Sequence, residues 1–138
     1  GLGDVYKRQV EYIYDMPLWE RAADAVICRA GAMTISEMAL LGRACILIPS
    51  PNVVNNHQYE NAKRLADAGA AIMLEEKYLT TNALYDSVCD ILHNKKTADT
   101  LSKNIKAFAN PTAKEAIYED ILMLLSRDVL TLIKKNKA

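Results

Sequence analysis

Two clusters carry the residue types that could do chemistry in this chain. The first is Arg29, Gly31, Ala32, Met33, Thr34 and Glu37, and the second is Asn55, Asn56, His57, Gln58 and Asn61. Together they offer backbone amides at a glycine turn, a hydroxyl, a carboxylate and several side-chain amides. That inventory reads sugar hydroxyls and phosphate oxygens better than an apolar substrate, because amide side chains both donate and accept. A glycine turn that opens directly into a helix leaves N–H groups free, which suits a phosphate or diphosphate. The chain has no GxGxxG, no P-loop glycine–lysine pattern, no HExxH and no CxxC. The usual nicotinamide, nucleoside-triphosphate and simple metal sites therefore lack their motifs, and no cofactor and no metal is expected.

Glu37 is the oddity of the first cluster. Met33, Glu37 and Leu41 recur every four residues and share one side of a helix. A carboxylate among apolar neighbours needs a partner. Two partners are open. Thr34 to Glu37 has the spacing of a capping box, or Glu37 accepts hydrogen bonds from a ligand diol such as a ribose. His57 also has two readings: a partly exposed histidine at a helix start, or a neutral donor or acceptor beside a ligand hydroxyl. The helix N-terminus disfavours its protonated form in either case. Arg29 is placed to meet phosphate or to pair with Asp24 or Glu37. His93 reads as structural, Tyr12, Tyr14 and Trp19 as packing residues, and Tyr59 as core or cleft wall.

The elements that position these clusters follow from period and punctuation. Val26 to Cys28 reads as a buried strand, Met33 to Leu41 as a helix closed by Gly42, and Ala44 to Ile48 as a second buried strand stopped by Pro49. Strand, turn, helix and strand in that order make one βαβ unit. Residues 50–56 form a loop at a strand's carboxyl end, the edge where open α/β sheets bind ligands. His57 to Ala68 reads as a helix, capped by Asn55 or Asn56 and ended by Gly69, and Ala70 to Leu74 as the next strand. Upstream, Val10 to Tyr14 alternates weakly as a strand, and Pro17 starts a short helix over Leu18 to Ala23. Downstream, Thr80 or Thr81 caps a helix to His93. Lys95 and Lys96 close a turn, and helices follow from Thr97 to Phe108 and from Thr112 onward. The class is α/β, a parallel sheet with flanking helices.

The chain has 138 residues, 51% of them apolar and 25% charged, in the normal range for a globular domain. Seventeen basic and seventeen acidic side chains cancel, so nothing global favours nucleic acid. The three cysteines, Cys28, Cys45 and Cys89, are scattered and odd in number, which suits a reducing compartment. No apolar run approaches the roughly 18 residues that span a bilayer. Residues 1–9 carry no period and are left unassigned, as a foreign start. Residues 10–128 carry the domain pattern. Residues 129–138 are an apolar, then basic tail, with Lys134, Lys135 and Lys137 solvated. A sheet that opens on a strand with so little before it is expected to lack its own beginning.

In order and spacing, Gly31 to Glu37, Gly42, Pro49 to Pro51, Asn55 to Gln58 with Asn61, and Asp67 to Ala71 closely resemble the MurG family. The resemblance runs from about Val10 to about Asp128. Its members add N-acetylglucosamine from UDP-N-acetylglucosamine to the undecaprenyl-diphospho-muramoylpentapeptide of peptidoglycan synthesis. It implies a GT-B fold, two Rossmann-like domains about a cleft, with this chain as the later part of the C-terminal, donor-holding domain. It implies that Glu37 takes the ribose hydroxyls and that Ala32, Met33 and Thr34 lie against the nucleotide and diphosphate. His57 and Gln58 would lie near the donor sugar with Asn61 close by, and many relatives carry Gln-Gln where this chain has His57-Gln58. The implied partners are UDP-N-acetylglucosamine and, through an N-terminal domain that also supplies the general base, the lipid-linked acceptor. No catalytic residue is expected within the chain, and residues 1–138 alone are expected to lack transferase activity. The implied location is peripheral, on the cytoplasmic side of a bacterial cell membrane. The alternatives are another UDP-sugar GT-B enzyme, such as an epimerase, or a non-catalytic nucleotide-sugar-binding segment.

Overall fold

The computed structural model describes residues 8–135, with side chains described through residue 126. Residues 1–7 and 136–138, which include most of the unassigned start and Lys137, lie outside the described residues. The chain divides into two units, Gly1–Phe108 and Ala109–Ala138.

The first unit is built on three parallel strands, β1 (Val26–Cys28), β2 (Cys45–Leu47) and β3 (Ile72–Met73), in the order β1-β2-β3. Val26, Ile27 and Cys28 lie beside Cys45, Ile46 and Leu47, and Ile46 and Leu47 beside Ile72 and Met73. Each strand is shorter than its apolar run, because ladder pairing ends before the hydrophobicity does. Helix α2 (Ala32–Leu41) connects β1 to β2, and α3 (His57–Asp67) connects β2 to β3. Helices α4 (Thr81–His93) and α5 (Lys95–Ile105) cover one face of the sheet. There Ile46 packs with Ala44, Ile91 and Leu101, and with the half-buried Ile72, Leu84 and Val88 around them. Cys45 and Leu47 alternate to the opposite face and are fully buried. Leu92, at the margin of α4, is exposed.

The helix ends follow the local rules with instructive exceptions. Thr80 Oγ1 accepts from the Ala83 amide at 3.1 Å, as a helix cap should. Asn94, not a later residue, caps α5, so Lys95 and Lys96 start that helix instead of closing a turn. Gly42 takes φ 63° and ends α2, its amide and that of Arg43 bonding back to Ala39 and Met38. The side chain of Lys106 fills the space where a Cβ at Gly42 would stand. From α5, Ser102 Oγ donates to the Gly42 carbonyl at 2.6 Å and Asn104 Nδ2 to the Gly69 carbonyl at 3.0 Å. One helix thus satisfies carbonyls just past the ends of two others, where intrahelical partners run out.

Residues 10–14 form no strand. A strand needs a ladder partner, and none pairs with this segment among the described residues. Tyr12 and Tyr14 stand exposed, Tyr14 by 88%, with ring centroids 4.9 Å apart, and Trp19 is exposed as well. They are not core packing. Helix α1 (Met16–Ala22) begins earlier than expected, with Pro17 in its first turn, and turns Glu20 inward instead of Trp19 or Leu18.

The second unit is α6 (Ala113–Lys135), which carries the tail on as helix to Lys135. Its Ile117, Ile121, Leu124 and Leu125 are exposed. Among the described residues no helix is long and apolar enough to cross a membrane.

Candidate functional site

The site lies at the carboxyl ends of β1, β2 and β3, where the turns 29–31, 48–56 and 74–80 meet. Arg29 Nη1 donates to the Ile48 carbonyl at 3.2 Å and to Glu76 Oε2 at 2.5 Å. It therefore links all three strand ends. Its partner within the chain is neither Asp24 nor Glu37: the turn after β3 brings Glu76, 47 residues away, to the place expected of nearer carboxylates. Both side chains are half exposed, so the ion pair contributes under about 1 kcal/mol and serves mainly to hold the rim.

Helix α2 starts at Ala32 with Gly31 as its cap and no side-chain cap hydrogen bond. The amides of Ala32, Met33 and Thr34 precede the first intrahelical bond, in which Ile35 N–H donates to the Gly31 carbonyl. Gly31 has φ −71°, a conformation open to any residue, and the nearest atom to an added Cβ is 3.9 Å away. Neither backbone strain nor packing requires glycine there. Its missing side chain leaves open space over the helix N-terminus, and no acidic residue occupies the first turn. An anion can approach those amides directly.

Thr34 is the third residue of α2 and not its cap, so the capping box with Glu37 does not form. The helix starts three residues earlier than that motif requires, with its cap at Gly31 instead of Thr34. Met33 is 75% exposed, whereas Met38 and Ala39 are fully buried. The line Met33, Glu37, Leu41 thus runs along the margin of the buried side and not through it. Glu37 is half-buried, and among the described residues it has no hydrogen bond or ion pair.

The second cluster abuts the first. Asn61 Nδ2 donates to the Ala30 carbonyl at 3.1 Å, which joins α3 to the β1–α2 turn and leaves Asn61 Oδ1 available. Gln58 Oε1 accepts from the Ser50 amide at 2.9 Å, which leaves its NH2 group available. His57 Nδ1 lies 2.8 Å from the Val54 carbonyl, an acceptor only, so Nδ1–H is the donor in that bond and Nε2 is left for another partner. The asparagine cap is absent. Asn55 and Asn56 both take left-handed conformations, φ 54° and 51°, and the Asn56 side chain makes no cap hydrogen bond to α3. Asparagine tolerates that region better than most residues, and two in succession store strain of a kind that gathers at functional turns.

Two features escaped the sequence reading. One is a hollow of about 300 Å³ formed by Tyr12, Tyr14 and Trp19 with Arg8, whose guanidinium lies 5.3 Å from the Trp19 ring centroid. The only signal for it was aromatic crowding near a weak strand. The other is Glu20, 8% exposed, whose Oε2 has no hydrogen-bond partner among the described residues. Burial first, and Glu37 second, raise its carboxyl above the ordinary 4.5. Burial also raises the Cys28 thiol to about 11, with Glu20 adding to the effect, and the Cys45 thiol to about 12, with Cys28 adding to it. These free thiols are protonated and inert at neutral pH.

Glu20 has a measurable consequence. Its pKa is raised on folding, so the folded state is favoured while the group is protonated. That advantage is lost as pH rises from about 4.5 through the raised value. Glu20→Gln, which keeps the shape without the charge, should therefore stabilise the protein by about 1 kcal/mol at neutral pH. The gain should shrink toward pH 4. Urea unfolding at the two pH values checks this, and an equal gain at both would refute the assignment.

The family model of the glycosyltransferase family 28 C-terminal domain matches residues 4–117. The UDP-N-acetylglucosamine--N-acetylmuramyl-(pentapeptide) pyrophosphoryl-undecaprenol N-acetylglucosamine transferase of Acetivibrio thermocellus is 42% identical over 127 residues, covering 92% of this chain and 32% of the relative. The enzyme of the same name from Bacillus cytotoxicus is 40% identical over 116 residues, covering 84% and 32%. The crystal structure of Acinetobacter baumannii MurG superposes with a TM-score of 0.74 at 33% identity, covering 83% of this chain and 33% of that one. The chain spans about a third of the length of the relatives it matches. With its parallel sheet, its flanking helices and this run of matches, the chain belongs to the glycosyltransferase family 28 C-terminal domain family, as a MurG-like GT-B domain.

Proposed function

We propose that this chain is the donor-binding part of an inverting transferase that moves N-acetylglucosamine from UDP-N-acetylglucosamine to undecaprenyl-diphospho-muramoylpentapeptide. The observation that carries the reading is the uncapped start of α2 beside an unengaged Glu37, with α3 held against the same turn by Asn61.

In this reading the amides of Ala32, Met33 and Thr34 hold the diphosphate and stabilise the charge that grows on it as UDP leaves. Glu37 accepts from the ribose diol. Gln58 NH2, His57 Nε2 and Asn61 Oδ1 orient the sugar, so that its anomeric carbon presents one face to the attacking hydroxyl. The acceptor hydroxyl attacks directly, with no covalent enzyme intermediate, and its proton passes to a base supplied from outside this segment. The undecaprenol in the relatives' names supports a peripheral position at the cytoplasmic face of a bacterial membrane. Calorimetric titration with UDP-N-acetylglucosamine, UDP and GDP-mannose tests the reading. UDP-N-acetylglucosamine should bind and GDP-mannose should not; equal affinity for the two would defeat it.

A further inference from the structure

Helices α2 and α3 both start at the site, and one helix from further along the chain grips both of them at their other ends. Ser102 Oγ on α5 donates to the Gly42 carbonyl, just past α2, at 2.6 Å. Asn104 Nδ2 donates to the Ala68 and Gly69 carbonyls, just past α3, at 3.3 and 3.0 Å. Two residues are about 200° of turn in a helix, so these side chains leave α5 on nearly opposite sides. The end of α5 therefore stands between the two helix ends as a wedge. Gly42 and Gly69 both take a left-handed φ, 63° and 60°. A Cβ at Gly42 would run into the Lys106 side chain, and one at Gly69 would stand 3.3 Å from Asn104 Nδ2. Both turns are shaped for this close approach.

Little else fixes the spacing of α2 and α3. Helix α2 packs on α1 and on the single turn Lys106–Phe108 that continues α5, and only sparsely on α3. A hollow of about 430 Å³ separates the two, walled by Ala32 and Ile35 of α2, Asn61 and Leu65 of α3, and Phe108. The Arg64 guanidinium of α3 lies 5.6 Å from the Phe108 ring centroid and fastens α3 to the same turn. At the site itself, among the described residues, the bond from Asn61 to the Ala30 carbonyl joins α3 to the start of α2. A helix of ten residues is about 15 Å long and stiff, so a shift of the α5 grip at one end is carried to the site at the other.

We propose that Ser102 and Asn104 are positioning residues that set which sugar the donor site accepts. They touch no ligand. By holding α2 and α3 at one spacing, they keep the sugar-reading groups of α3 in register with the diphosphate at α2. The proposal rests on the donor reading, in which α2 takes the ribose and diphosphate while Gln58, His57 and Asn61 take the sugar. A wrong spacing leaves nucleotide binding whole, since the ribose and diphosphate meet α2 alone. It spoils the hydrogen bonds that tell one sugar epimer from another.

The test is calorimetric titration of the chain with UDP, with UDP-N-acetylglucosamine and with its C4 epimer UDP-N-acetylgalactosamine. The parent should bind UDP and prefer the gluco sugar. Ser102→Ala and Asn104→Asp each remove a hydrogen-bond donor to a carbonyl. Each should cut that preference about fivefold, the order of one sugar hydrogen bond put out of line, with UDP affinity unchanged. Ser102→Thr, which keeps the hydroxyl, should keep the preference. If one variant fails to fold, the other carries the test, because each acts on a different helix. A parent preference that both variants retain overturns the proposal alone. An equal loss of affinity for all three ligands also overturns it, since that is general loosening and not a change of spacing. A parent that binds UDP without distinguishing the two sugars sinks the sugar role of α3, and the proposal with it. A parent that binds none of the three sinks the donor reading as a whole, and the proposal again with it.

Discussion

Replacing Glu37 by alanine lowers the affinity for UDP-N-acetylglucosamine by about 10- to 100-fold and leaves the folded state intact. The magnitude is that of hydrogen bonds to a charged acceptor, about 1.5–3 kcal/mol. The unusual part of the expectation is the unchanged stability. A carboxylate in the first turns of a helix often works as a cap, and its removal then costs stability as well as binding. Here Gly31 holds the cap position and no side chain caps α2. Among the described residues Glu37 has no hydrogen-bond or ion-pair partner to lose, and its removal relieves the repulsion that helps raise the Glu20 carboxyl. The melting temperature should hold or rise slightly. The control is a nucleotide without ribose hydroxyls, 2′,3′-dideoxy-UDP. It should bind the parent as weakly as UDP binds Glu37→Ala, and Glu37→Ala should not weaken it further. A loss of affinity for the dideoxy compound on substitution would show that Glu37 acts on something other than the diol.

Ile46→Ala destabilises the first unit by about 3–4 kcal/mol, a large share of the stability of a domain this size. Ile46 is the middle residue of the middle strand and is fully buried. It packs with Ala44, Ile91 and Leu101, which come from the strand and from both covering helices. Two of its neighbours in the sheet, Ile27 and Ile72, are fixed by ladder pairing and cannot close the cavity by moving inward. Ile46→Val, which removes one methylene, should cost about 1 kcal/mol. Urea unfolding measures both. The alanine variant should also weaken donor binding, because β2 positions the loop that carries Ser50, whose amide holds Gln58 of α3. Saturating donor should restore part of the lost stability through linkage.

Much of the molecule was legible in the residue order. The three strands beside α2 and α3, the Gly42 stop and the Thr80 cap all rest on neighbours within about five positions. Their signals are period, propensity and local hydrogen bonds. The strand at 10–14 and the capping box at 34–37 were misread for one reason. Each pattern is necessary for its element and not sufficient, since a strand needs a second strand and a box needs the helix to begin at its threonine. The asparagines at 55 and 56 were assigned to capping by residue type, and the chain uses their other property, tolerance of a left-handed backbone.

By itself the sequence determined that two polar clusters sit at the ends of strands, and that Glu37 stands on a helix directly after a glycine turn; of the two strands expected to be buried only β2 is, since Ile27 of β1 is 48% exposed. It determined the chemistry on offer: amides, a hydroxyl and a carboxylate whose partner it left open. Only the tertiary structure decided that the clusters meet, through Asn61 and the Ala30 carbonyl, 31 residues apart. It alone gave Arg29 to Glu76, turned Glu20 inward without a hydrogen-bond partner for Oε2 among the described residues, and opened a cavity over the carboxyl ends of β2 and β3 that no motif announces. The reason is physical. Local order follows from each residue and its near neighbours, whereas the partner of a side chain at a strand end depends on strand order and on where each loop returns.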